Sequence, residues 1–111
     1  MSTKPETVEY ILEQLSTMAN IRTRKMFGEY ALYCDEKVVA LICDDTLFVK
    51  PTIAGKKFVG DDYQEGPPYP GAKMYIKVDE KLDDSEWVSE LIRITANELP
   101  LPKPKSNKTK T

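Results

Sequence analysis

The sequence predicts an α+β fold built on an antiparallel sheet. Three observations carry that prediction. Apolar residues recur at helical spacing near each end of the folded part of the chain. Between them stand short runs rich in β-branched and aromatic residues. The links between the first of these runs are only a few residues long, which antiparallel neighbours allow and parallel ones do not. The predicted order is helix, β-meander of four strands, short helix, fifth strand, C-terminal helix.

The first helix rests on Val8, Ile11, Leu12, Leu15 and Met18 or Ala19, with Glu9, Glu13 and Gln14 facing away. Thr3 and Glu6 stand three apart, the spacing of a capping box. Pro5 suits the first turn, where its missing amide has no partner to lose. Asn20 is read as the stop.

The meander runs through Ile21–Phe27, Tyr30–Cys34, Val38–Cys43 and Thr46–Lys50, linked by Gly28-Glu29, by residues 35–37 and by Asp44-Asp45. Two-residue turns at Asp35-Glu36 and Asp44-Asp45 fix a register. Leu32 then faces Val39, and Leu41 faces Phe48, on one side of the sheet. Tyr33 faces Val38, and Ile42 faces Leu47, on the other. Both faces are apolar in the middle, whereas a sheet with one wet face alternates. Helices are expected over one face, and a helix or a second subunit over the other.

After Pro51, a short helix runs from its cap Thr52 through Ile53, Lys56 and Lys57 to Val59, and Gly60 ends it. Residues 61–71 read as a loop whose end, Gly66-Pro67-Pro68-Tyr69-Pro70-Gly71, is held extended by its prolines. Lys73–Val78 is the fifth strand. The last helix spans Asp83–Leu99, with Asp83 and Glu86 as its cap and Trp87, Val88, Leu91, Ile92, Thr95 and Leu99 as its buried stripe. Pro100 and Pro102 stop it. Residues 1–99 form one domain; residues 100–111 read as a disordered, lysine-rich tail.

Composition narrows the chemistry. The 111 residues are one domain's worth of chain. The absence of histidine removes His general bases, Ser-His-Asp and Cys-His systems, and His-ligated metals. Two cysteines are too few for a structural zinc site. The acidic pairs Asp44-Asp45, Asp61-Asp62 and Asp83-Asp84 lack the spacing of a calcium loop and sit where Asp serves turns and helix starts. No cofactor or metal is expected, and no catalytic residue stands out.

The net charge is −2, but the tail carries four lysines and no acid, which leaves −6 on residues 1–99. A body of that sign is not a nucleic-acid footprint, so direct DNA binding is not expected of it, and the tail offers weak, salt-sensitive contact at most. No apolar run reaches the roughly 18 residues of a membrane helix, and no signal-peptide core is visible. Those features predict a cytoplasmic protein with free thiols. Cys34 and Cys43 lie at opposite ends of a strand, roughly 20 Å apart, beyond the reach of an intramolecular bridge. Cys34, beside a turn, is expected to be the more accessible.

Three stretches together carry a resemblance. Arg24-Lys25-Met26-Phe27-Gly28-Glu29-Tyr30, the segment Val39–Lys50 with its Asp44-Asp45 turn, and Gly66–Gly71 resemble, in order and spacing, the N-terminal domain of the TfoX/Sxy proteins. The resemblance covers about residues 8–98. It implies a two-layer sandwich similar to secretion-chaperone-like folds, which favour homodimers. It further implies a non-enzymatic regulatory or protein-interaction domain related to co-activators of competence genes. Its implied partners are the cAMP receptor protein or RNA polymerase. The helical C-terminal domain of the family's best-known members has no counterpart in this sequence, which suggests a stand-alone form.

Candidate partner contacts are Arg22, Arg24, Lys25, Tyr30 and Tyr69. Arg22 and Arg24 share one strand face and Lys25 points to the other, so the group could hold an acidic partner or a phosphate; the other reading is an edge strand protected by charge. Tyr69 between prolines is a stiff aromatic suited to anchoring a partner or to packing over the sheet edge. A homodimeric small-ligand or peptide-binding module, unconnected with transcription, is the alternative reading.

Overall fold

The computed structural model describes residues 3–100. Apart from Pro100, the tail expected to be disordered lies outside the described residues. The elements are α1 (Pro5–Gln14), β1 (Ile21–Met26), β2 (Glu29–Cys34), β3 (Lys37–Cys43), β4 (Thr46–Val49), α2 (Ile53–Val59), β5 (Glu65–Gly66), β6 (Tyr75–Val78) and α3 (Ser85–Glu98), with single 3-10 turns at Gly60–Asp62 and Glu80–Asp83. The strands form one antiparallel sheet in the order β1-β2-β3-β4-β6-β5. The predicted α+β class, with its meander of four strands, is what the chain builds.

Three two-residue turns shape the meander. Phe27-Gly28, Asp35-Glu36 and Asp44-Asp45 each place both residues at positive φ, the conformation whose twist matches the flanking strands. The first differs from expectation: β1 ends at Met26, Met26 pairs with Glu29, and Phe27 belongs to the turn. The register predicted from the other two turns holds nearby. Tyr33 pairs with Val38, Leu41 with Phe48 and Ile42 with Leu47.

Leu32, however, pairs with Ala40 and not Val39, because a β-bulge intervenes between Leu32 and Tyr33. The extra residue costs no hydrogen bond on the far side, since the Val39 carbonyl accepts the Lys50 amide at 2.9 Å. The bulge changes which residues share a face. Leu32 now lies with Ile42, Leu47 and Val49 against the helices, and Tyr33 lies with Leu41 on the opposite face.

All three helices lie on one face of the sheet. Their core is a single cluster that includes Ile11, Leu15, Leu32, Ile42, Leu47, Ile76, Leu91 and Ile92. No helix covers the other face among the described residues, contrary to one of the two expectations; a loop covers part of it instead.

Helix ends differ from the sequence reading in a consistent way. Thr3 does not cap α1. Lys4 is the cap residue, and Asp45 from the β3–β4 turn accepts the Lys4 amide and the Thr7 hydroxyl, both at 2.8 Å. Buried Thr3 instead donates to Glu29 and accepts from the Asp45 amide. At the other end α1 stops at Gln14, before Asn20, and the Gln14 carbonyl, left without a helical partner, accepts the Ser85 and Ser89 hydroxyls of α3. Asp84, not Asp83, caps α3 by accepting the Trp87 amide, while Asp83 accepts the Tyr10 hydroxyl. Trp87 is only half-buried and leans on Phe58 at the margin of the core.

Thr52 caps α2 as predicted, accepting the Gly55 amide at 2.9 Å. The first amides of that helix, Ile53 and Ala54, donate to the carboxylate of Glu98 at the end of α3. Part of the predicted loop after α2 pairs as β5, and the strand expected over 73–78 begins at Tyr75.

Candidate functional site

Strand alternation and register assign the residues of the uncovered sheet face. β1 contributes Arg22, Arg24 and Met26; β2 contributes Glu29, Ala31 and Tyr33; β3 contributes Leu41 and Cys43; β4 contributes Thr46 and Phe48; and β6 contributes Tyr75 and Lys77. Ala31, Cys43 and Phe48 are buried yet stand outside the helix-side core cluster. They form a second, thinner apolar layer.

The proline-rich loop builds one wall over this layer. The ring of Phe48 lies 3.7 Å from the place a side chain would take at Gly66. Pro67, Pro68 and Tyr69 continue over it, lining a cleft of about 510 Å³ with Phe48 and Lys77. Tyr69 also lines a second groove of about 430 Å³, whose floor is Leu41 and Cys43 and whose far wall is Met26 and Phe27. The two hollows share Tyr69 and Glu29.

Two aromatic rings flank the second groove. Tyr69 is more than half exposed, and Phe27 is fully exposed at φ 50. Exposure of a whole phenylalanine ring is unusual in itself. Holding it in the left-handed region, which suits Gly and Asn, adds strain. Met26 and Met74 are further exposed apolar side chains, and thioethers adapt to varied partners.

The groove's polar groups are spoken for. Glu29 accepts the Thr3 hydroxyl and the Asp44 amide. Burial first, then the Glu29 and Asp44 charges, pushes the Cys43 thiol up to about 11. Burial likewise raises Cys34, with Asp35 adding to it. Both thiols are protonated at neutral pH and poor nucleophiles. Cys34 is buried, which corrects the expectation that it is the more accessible. Burial also raises Tyr75, with Tyr69 and Cys43 as smaller causes. No cluster of His, Cys, Asp and Glu suited to a metal occurs among the described residues.

The five predicted contact residues divide. Tyr69 lines both hollows. Tyr30 is half-buried, packs against the core and borders the second groove, so it is not an exposed contact. Arg22 and Arg24 share the open face, but Arg22 is engaged: its guanidinium lies 3.0 Å from Glu36 and 4.1 Å over the Tyr33 ring. Arg24 is exposed beside Ala31, and Lys25 projects toward the other face. Sequence reasoning missed Phe27, Met26 and Leu41. Phe27 was hidden by its strand-like neighbours, and its one available signal was the Gly that follows it.

The fold and groove come from segments spread along most of the chain, and the sequence comparisons span the same extent. The model of the TfoX N-terminal domain family matches residues 13–99. A Spirochaeta aurantia protein known as the uncharacterized 12.7 kDa protein in the trpE 5′ region is 42% identical over 111 residues, covering all of this chain and 96% of its own. A match over most of the folded residues, together with a relative similar from end to end, places this chain in the TfoX N-terminal domain family.

Proposed function

We propose that the chain is a non-enzymatic regulatory domain that docks a protein partner on its open sheet face, with Phe27 and Tyr69 as anchors. The observation that carries this reading is Phe27, a fully exposed aromatic in a strained backbone conformation beside an apolar groove. Rigid aromatic anchors beside a pocket supply most of the energy of many interfaces. The raised thiols of Cys34 and Cys43 support docking over covalent chemistry. The family resemblance supplies the partners to try, the cAMP receptor protein and RNA polymerase.

Calorimetric titration of each purified partner tests the reading. Saturable binding is expected for one of them, weakened at least tenfold by Phe27→Asp combined with Tyr69→Ala, with circular dichroism unchanged. A partner that binds wild type and the double variant equally well removes this surface from the proposal.

The apolar strip Ala31, Leu41 and Cys43 also favours a second reading, a homodimeric peptide- or ligand-binding module unconnected with transcription. Light scattering at micromolar concentration decides it: a dimer that Phe27→Asp dissociates supports self-association, and a strict monomer removes it.

A further inference from the structure

We propose that the outer edge of β1 accepts an extended acidic segment of the partner as an added strand. The inference rests on the docking reading above and names the chemistry of what is docked. β1 is an edge strand of six residues, whereas the opposite edge, β5, has only two. Its free backbone groups follow from the turn. A two-residue hairpin makes its closing pair, Met26–Glu29, a hydrogen-bonded one. Alternation gives Arg24–Ala31 and Arg22–Tyr33 the same pairing. The Asp35 amide donating to the Asn20 carbonyl at 3.1 Å continues the pattern. The amides and carbonyls of Ile21, Thr23 and Lys25 therefore point away from the sheet. Among the described residues no hydrogen bond from outside the sheet reaches them.

Charge then selects the occupant. Residues 21–26 contain Arg22, Arg24 and Lys25 and no acid. Arg22 already meets Glu36, whereas Arg24 and Lys25 have no ion-pair partner among the described residues. Pairing of β1 with a second copy of itself would bring these cations together across the new ladder, which is destabilising. An acidic strand gains where a second copy loses, so Arg24 and Lys25 disfavour self-pairing and favour one class of partner. Main-chain bonds along the edge would supply affinity, and alternate side chains specificity. The edge leads directly into Met26 and Phe27, so a strand added there ends at the groove.

Titration of the ¹⁵N-labelled full chain with a blocked seven-residue peptide alternating glutamate and valine tests this. The control peptide has lysine in place of glutamate. Saturable binding of the acidic peptide is expected, with shifted and exchange-protected amides at Thr23 and Lys25. Arg24→Glu and, separately, Thr23→Pro should each weaken it at least tenfold; proline there removes an outward amide and leaves the β1–β2 ladder intact. Equal binding of the lysine peptide, or no saturation at millimolar concentration, overturns the added strand. Shifts confined to Leu41, Cys43 and Tyr69 also overturn it while leaving the groove intact as a docking site. Failure of the docking reading shows elsewhere, as indifference of the protein partner to Phe27→Asp.

Discussion

At position 27 two costs coincide. A non-glycine residue in the left-handed region gives up about 1 kcal/mol, and a fully solvated ring returns nothing by burial. Replacing it with Asn, which tolerates that conformation, should therefore raise stability by about 1 kcal/mol in urea unfolding while weakening partner binding. Stability that falls instead would mean the ring has a contact in the isolated chain. The cysteines make a second prediction at this scale. Iodoacetamide at pH 7.5 should label neither Cys34 nor Cys43 in the folded protein and both in denaturant, read by intact mass. The raised Cys43 thiol also means that the folded state binds its proton more tightly than the unfolded state. That contribution is present below the ordinary thiol range and is lost as pH rises towards about 11. Residue identities alone revealed Tyr69, whose flanking prolines mark a held loop. They concealed Phe27, because an aromatic beside Met26 reads as strand until the turn is placed.

Two helices in this fold take part of their caps from groups distant in sequence. Glu98 closes the start of α2 and Asp45 the start of α1, and the amides they accept hold both carboxyls below the usual carboxylate range. A depressed carboxyl stabilises the fold at neutral pH, and that stabilisation is lost as pH falls through its folded-state value. Glu98→Gln should therefore lower the melting temperature at pH 7 and have little effect at pH 3; an equal drop at both pH values would assign its role to something other than charge. Gly55 is a third fixed point. A Cβ there would stand 2.7 Å from the Thr52 hydroxyl that caps the same helix. Gly55→Ala should thus destabilise the protein by about 1 kcal/mol, roughly the worth of the cap it displaces, as measured by thermal melting. Local caps such as Thr52 were legible in the sequence. The others were not, because Asp45 and Glu98 act on helices 41 and 45 residues away.

For the molecule as a whole, the two sides of the sheet are unequal. The helix side carries the stability: Leu91 of α3 is fully buried, and its side chain, like that of Ile76, lies beside Gly55 of α2. Leu91→Ala should cost about 2–5 kcal/mol, checked by urea unfolding, whereas Leu41→Ala on the partly exposed face should cost less. The two apolar faces were legible in the sequence, and so was most of the register, because two-residue turns pin it. The bulge was not. Val38-Val39-Ala40-Leu41-Ile42 contains no polar residue, so a one-residue slip exposes nothing unfavourable and leaves no mark in the pattern.

The borrowed cap on α1 bears on the order of assembly. The helix near the start of the chain takes its closing carboxylate from the β3–β4 turn, and Thr3 bonds to the β1–β2 turn through the Gly28 carbonyl as well. Both turns follow α1 in the chain and are not yet made when residues 5–14 leave the ribosome. The hairpins close over short loops and can form early. A helix made before the turns that cap it is therefore among the last elements to be secured, and mutations at Thr7 should accelerate unfolding while leaving the refolding rate almost unchanged.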